Sequence, residues 1–136
     1  MKIAVGTPPN WEKIIKVFPS VEKMPNLVVT YGETIFFPGG NITMSPDLQQ
    51  HELVHTLQQK AMGIEIWWDK YLEDPVFRVE QEVQAYHVQY NKIKSSSKDR
   101  NWVFENLKRL GRDLSSPQYG SAIGFLEAMN RIRQGK

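Results

Sequence analysis

Ser45-Pro46-Asp47-Leu48-Gln49-Gln50-His51-Glu52-Leu53-Val54-His55-Thr56-Leu57-Gln58-Gln59-Lys60-Ala61-Met62-Gly63 reads as one bounded helix, and the rest of the chain is best understood outward from it. Serine accepts a bond from a free backbone N–H at a helix start, proline suits the first helical position, and aspartate complements the dipole. Gly63 can take the left-handed conformation that closes many helices. Inside these limits His51 and His55 lie four apart, one turn above each other on one face, so both imidazoles can reach a single divalent ion. They are two of the three histidines in the chain. Leu53, Val54 and Leu57 give the helix an apolar side, which sets the pair at the edge of a core. Glu52 points to the side of the pair, where it can miss the ion yet reach a water beside it as a general base.

Upstream, residues 2–5 suit a short strand, and Trp11, Ile14, Ile15 and Phe18 recur at helical spacing before Pro19. Leu27–Thr30 and Thr34–Phe37 are β-branched and aromatic around Tyr31-Gly32-Glu33, the pattern of a hairpin. Pro38-Gly39-Gly40 interrupts the second strand, and Asn41–Met44 is expected to return as a third strand along the rim. Downstream, Asp74-Pro75 opens a helix through Tyr90 towards Lys94, closed by Ser95-Ser96-Ser97. Two more helical patterns cover roughly Asn101–Leu114 and Ser121–Arg133, while Trp67, Trp68, Tyr71 and Phe77 read as packing residues. Strands first and helices later predict an α+β fold, a small antiparallel sheet followed by a helical layer, with 1–136 as one domain.

Composition narrows the function classes. At 136 residues, 40% hydrophobic and 24% charged, the chain can bury one core and has no disordered signature. The formal net charge is +2, and the basic stretch Lys92–Arg112 includes Asp99 and Glu105, so nucleic acid is not an expected partner. Cysteine is absent, leaving His, Asp and Glu as the strong metal ligands. No apolar run suits a signal peptide or a membrane span, so the expectation is a cytoplasmic protein without a membrane partner, with export by another route or release by lysis as the alternative. The oligomeric state is left open.

A catalytic zinc uses three protein ligands and keeps a position for water. Glu80-Gln81-Glu82-Val83-Gln84-Ala85-Tyr86-His87 offers three candidates for the third. Glu82 shares a helical stripe with Val79, Ala85, Tyr86 and Gln89 and should face inward, where a lone carboxylate is costly without a cation. Glu80 points about 200° round the helix, towards solvent, and His87 ranks third. The expected ligands of Zn2+ are therefore His51, His55 and Glu82. A donor for the tetrahedral oxygen could come from Tyr86, His87, Tyr90 or Arg78, of which Tyr86 and His87 are the leading choices.

His51 to Gln59 followed by Glu82-Val83-Gln84-Ala85-Tyr86 resembles the gluzincin branch of the zincin metallopeptidases, in particular small phage and bacterial members. The resemblance covers Tyr31 to about Tyr90. It implies a zincin-like fold with HExxH on the active-site helix, a zinc ion, peptide hydrolysis with Glu52 as the base, and a His-His-Glu ligand set. In that group the downstream Glu is often followed, after two intervening residues, by Ala and then Asp or Tyr. Glu82, Ala85 and Tyr86 fit this, whereas Glu80 would put Val83 at the alanine position. The resemblance also implies a peptide or protein substrate lying along an edge strand, here Thr34–Phe37 or Asn41–Met44. The residues after His55 lack the glycine and third histidine of metzincins, and no cysteine is present to act as in peptide deformylases. Two rival readings are a catalytically silent zinc-binding module of a phage or toxin-associated assembly, and a hydrolase of another amide such as a cell-wall cross-link.

Overall fold

The computed structural model describes all 136 residues. Three short strands, β1 (Lys2–Val5), β2 (Val29–Tyr31) and β3 (Thr34–Phe37), stand beside six helices: α1 (Trp11–Val17), α2 (Pro46–Met62), α3 (Ile64–Glu73), α4 (Pro75–Ser96), α5 (Arg100–Leu114) and α6 (Phe125–Gln134). The class is α+β, and none of the helices is long and apolar enough to cross a membrane.

The sheet differs from the expected antiparallel one. Its order is β1-β3-β2, with β2 antiparallel to β3 and β1 parallel to it, Ile3 opposite Ile35. A tight turn at Gly32, whose φ is +62°, joins β2 to β3. Parallel pairing instead needs a long crossover, and α1 with the 3-10 turn Pro19–Lys23 supplies it between β1 and the hairpin. The expected strand at Asn41–Met44 does not form. Both flanks of β3 are already occupied, and the Gly40 N–H closes a turn onto Phe37 O that takes the chain out of the sheet. Neither Thr34–Phe37 nor Asn41–Met44 is therefore a free edge; the edges are β1 and β2.

The helix limits follow the sequence signals closely. Ser45 Oγ accepts from Leu48 N–H, and Gly63, at φ +100°, ends α2 and starts α3. Asp74 accepts from the N–H groups of Val76 and Phe77, and Asp99 from those of Asn101 and Trp102. α6 begins at Phe125 rather than Ser121, because the 3-10 turn Pro117–Tyr119 and the irregular stretch after it bury Tyr119 and Ile123. The long helix α4 runs through the middle, packed on α2, α3, α5 and α6. Its Phe77, Val83, Tyr90 and Ile93 join Trp67, Leu107, Leu110 and Ile132 in one apolar core.

The outer side of β2 is occupied at its Gly32 end by one side chain. Gln59, fully buried, accepts from Gly32 N–H at 2.7 Å and donates to Thr30 O at 2.9 Å, as a neighbouring strand would. Thr56 adds a bond to Gly32 O. These contacts fix α2 against the hairpin and set the distance between β2 and the histidines. Replacing Gln59 by leucine strands a buried donor and a buried acceptor, so the urea midpoint should fall, with a loss of about 1–3 kcal/mol for each stranded group; an unchanged midpoint would show that the carboxamide does not anchor the hairpin.

Candidate metal centre

Three of the polar groups that α2 and α4 bury meet at one point. His51 Nε2 lies 3.2 Å from His55 Nε2, and Glu82 Oε1 lies 3.3 and 3.2 Å from those two atoms. All three side chains are buried. A second carboxylate stands close by, since ligand atoms of His51, Glu52 and His55 all lie within 4.8 Å of one another. This buried group can hold a metal ion. Glu82 makes the tighter triangle with the two histidines, and Glu52 stands to its side.

The orientation of both imidazoles is set from outside the triangle. Gln89 Nε2 donates to Asp47 Oδ2 at 2.9 Å, so its Oε1 faces His51 Nδ1, also at 2.9 Å, and that nitrogen must carry the proton. Gln58 Nε2 donates to Gln81 O and Gln84 Oε1, which turns its Oε1 to His55 Nδ1 at 2.9 Å. Each ring therefore presents an Nε2 lone pair to the triangle. Three acceptors facing one another are unfavourable without a cation among them. The second oxygen of Glu82 accepts from Tyr71 Oη–H at 2.6 Å.

In the metal-free protein a proton on His55 Nε2 can serve as that cation. Burial alone lowers the pKa of His55, but the charge and hydrogen bond of Glu82, helped by Glu52 and Gln58, raise it to about 9. Burial alone raises that of Glu82, but His55 and His51 hold it far below the ordinary carboxylate range. Burial and then Glu82 push the Tyr71 hydroxyl well up, so it remains a donor.

Glu52 is buried and positioned separately. Its Oε2 accepts from Thr30 Oγ1–H at 2.6 Å, which ties it to β2. It lines two cavities with His51: a cleft of about 420 Å³ that also meets Val28, Tyr86 and Tyr119, and a small apolar pocket walled by Phe18, Leu27, Trp67 and Trp68. Tyr86 packs edge-on against His51, with ring centroids 4.4 Å apart, and its hydroxyl is 2.8 Å from that of Tyr119. Arg78 holds Tyr119 there, donating to Tyr119 O, Tyr71 O and Leu72 O while lying over the Phe18 ring.

The residues expected from sequence thus divide. His51, Glu52, His55, Glu82 and Tyr86 come together. Glu80 is exposed, and His87 faces α6, its Nδ1 bonded to Ile132 O at 2.7 Å and its ring against Gly135. His87 is therefore turned away from the centre, as a residue one step from the inward-facing Tyr86 must be. Arg78 is consumed by three carbonyls, and Tyr90 sits beyond the centre along α4. Sequence reasoning missed Thr30, Gln58, Tyr71 and Tyr119, and the Asp47–Gln89 pair. Helical spacing carried part of the signal, because Asp47 is one turn before His51, Gln58 one turn after His55 and Gln89 two turns after Glu82. Thr30, Tyr71 and Tyr119 arrive from other elements. Compared with models of protein families, with curated proteins and with solved structures, the chain matches none.

The pKa shifts imply a pH window for chelator-treated protein. A histidine raised from 6.5 to about 9 contributes stability that is complete below pH 6.5 and lost as the pH rises through about 9. A depressed Glu82 contributes stability present above its ordinary 4.5 and lost as the pH falls towards its folded value. Melting temperatures of the metal-free protein should therefore fall on going from pH 6.5 to 9, and Glu82→Gln should flatten that decline. An equally steep decline in the variant would place the titrating group elsewhere.

Proposed function

We propose that the chain is a zinc-dependent peptidase of zincin-like fold and gluzincin type, with His51, His55 and Glu82 as ligands. One observation carries the reading: the near-equilateral triangle of Nε2, Nε2 and Oε1, with Glu52 held beside it. Ligand atoms about 2.0–2.1 Å from a tetrahedral zinc stand about 3.3–3.4 Å apart, close to the sides of 3.2, 3.2 and 3.3 Å here. Two imidazoles and one carboxylate suit zinc better than magnesium or calcium, which prefer all-oxygen sets. When bound, zinc lowers the pKa of a water and polarises a carbonyl oxygen.

The chain's own groups supply the rest. Thr30 occupies one oxygen of Glu52, which leaves Oε1 to take the proton of the attacking water and pass it to the departing amine. Tyr86 and Tyr119 bring a hydroxyl pair to the wall of the same cleft, one donating to the other and the second free to donate to a developing oxyanion. The substrate's backbone can extend β2. Beyond Gln59's bonds to Thr30 and Gly32, the backbone N–H and C=O of Val28 have no backbone partner, and Val28 lines both cavities. The apolar pocket beside Glu52 favours an apolar side chain next to the bond that is cut.

Elemental analysis and a peptide-library assay test this together. The wild type should hold one zinc per chain, His55→Ala and Glu82→Ala should lose it, and Glu80→Ala should keep it. Glu52→Gln should keep zinc while losing activity by roughly a hundredfold or more. A folded wild type that takes up no zinc would overturn the assignment, and one that binds zinc but cleaves neither peptides nor cell-wall cross-links would leave a metal-binding module.

A further inference from the structure

Away from the metal centre, the C-terminal ends of α4 and α6 and the start of α5 enclose a cavity of about 340 Å³. Its polar lining can all donate: Lys94 from α4, Lys98 and Arg100 around the start of α5, Arg133 from α6, and the hydroxyls of Ser97 and Tyr90. No carboxylate lines it. The two acids that dilute this basic stretch in sequence are engaged elsewhere, Asp99 by the N–H groups of Asn101 and Trp102 and Glu105 by Lys108 at 2.7 Å. None of the four cations takes part in an ion pair. Like charges gathered round one hollow repel one another and draw in a counter-ion. The hydroxyls make it more than a patch of surface charge. Ser97 Oγ accepts from Asp99 N–H, which leaves its own proton free. Tyr90 is only 7% exposed, with Lys94 Nζ lying 5.1 Å from the centre of its ring, and its hydroxyl has no partner within the protein. The closed side-chain polar atoms that lack partners all belong to Asn10 and Trp68, so the Tyr90 hydroxyl still meets solvent, at the cavity this residue lines.

We propose that this cavity binds a dianionic phosphate group. Such a group presents three strong acceptor oxygens and no donor, which matches a lining of donors. The guanidinium groups of Arg100 and Arg133 can each grip it through paired N–H bonds; one nitrogen of Arg133 already donates to Asn130 Oδ1, which holds the fork in place. A carboxylate brings one negative charge to four cations where a phosphate brings two, and the same lining repels a metal ion or an ammonium group. The volume exceeds that of a bare phosphate and falls at the small end for ligand pockets. The remaining wall is apolar, made by Val103, Leu107 and the half-exposed ring of Phe104, and suits an uncharged body carrying the phosphate. The site lies two turns of α4 beyond Glu82 and does not depend on the peptidase reading.

The test is calorimetric titration of the full chain, before and after treatment with a chelator, using phenyl phosphate, inorganic phosphate and benzoate. At least one of the two phosphates should bind saturably at one site per chain, equally well in the chelated protein, and benzoate several-fold more weakly. The tighter phosphate names the source: phenyl phosphate a group carried on an organic body, inorganic phosphate the free ion. Arg100→Gln and Arg133→Gln, both at exposed positions, should each weaken binding about tenfold without lowering the melting temperature, and Tyr90→Phe should weaken it several-fold. Lys16→Gln removes the same charge from α1, outside the cavity, and should leave the affinity unchanged. The absence of saturable binding, its disappearance on chelation, a loss in Lys16→Gln equal to that in Arg133→Gln, or indifference to Tyr90→Phe would overturn the proposal and leave four solvated cations.

Discussion

The carboxylate of Glu82 is the constraint around which the molecule is arranged. It is 3% exposed, and an unpaired buried carboxylate would cost far more than a small domain can spare. Its partners come from two helices, two imidazoles on α2 and the Tyr71 hydroxyl on α3, and its own helix α4 must lie close enough to both for the contacts to exist. The packing of α2 on α4 and the placing of α3 across them are both required by that one group.

Glutamines carry much of the remaining order. Gln58 and Gln59 project from neighbouring positions of α2 in different directions, one to α4 and His55, the other to the hairpin. Gln81 accepts from Trp67 Nε1–H, and Gln89 links Asp47 to His51. A carboxamide has both a donor and an acceptor, so each one can bridge two elements and fix the direction of the bond it passes on. Side chains that look like ordinary polar spacers in a helix are here the joints between layers.

That explains what could be read from the sequence and what could not. The helices α2 and α4, the His51–His55 pair and the inward face of Glu82 depend on caps and on helical phase, which are local properties. Tyr86 was found by the same phase argument, and His87, adjacent to it, was carried too far by being titratable. The parallel placing of β1 and the loss of a strand at Asn41–Met44 depend on which flanks of β3 were still free, a question of assembly rather than of propensity. Thr30, Tyr71 and Tyr119 belong to elements distant in sequence, so no spacing rule connects them to Glu52, Glu82 or Tyr86. Trp67 and Trp68 do pack in the core, as aromatic residues in such a stretch should, but they also wall the pocket beside the centre.

The neutrality of Gln58 and Gln89 bears on which ions the centre would choose. Had both histidines been backed by carboxylates, the triangle and its backing would carry three negative charges, with Glu52 a fourth beside them, and would attract any small cation, including those abundant in cells. With amides in those places Glu82 is the sole anion in the triangle, and attraction by charge alone is modest. Retention must then come from bonds to imidazole nitrogen, which hard alkaline-earth ions form poorly. In the proposed metal centre the amide backing would thus act as a filter, exchanging some overall grip for preference towards ions that bind nitrogen.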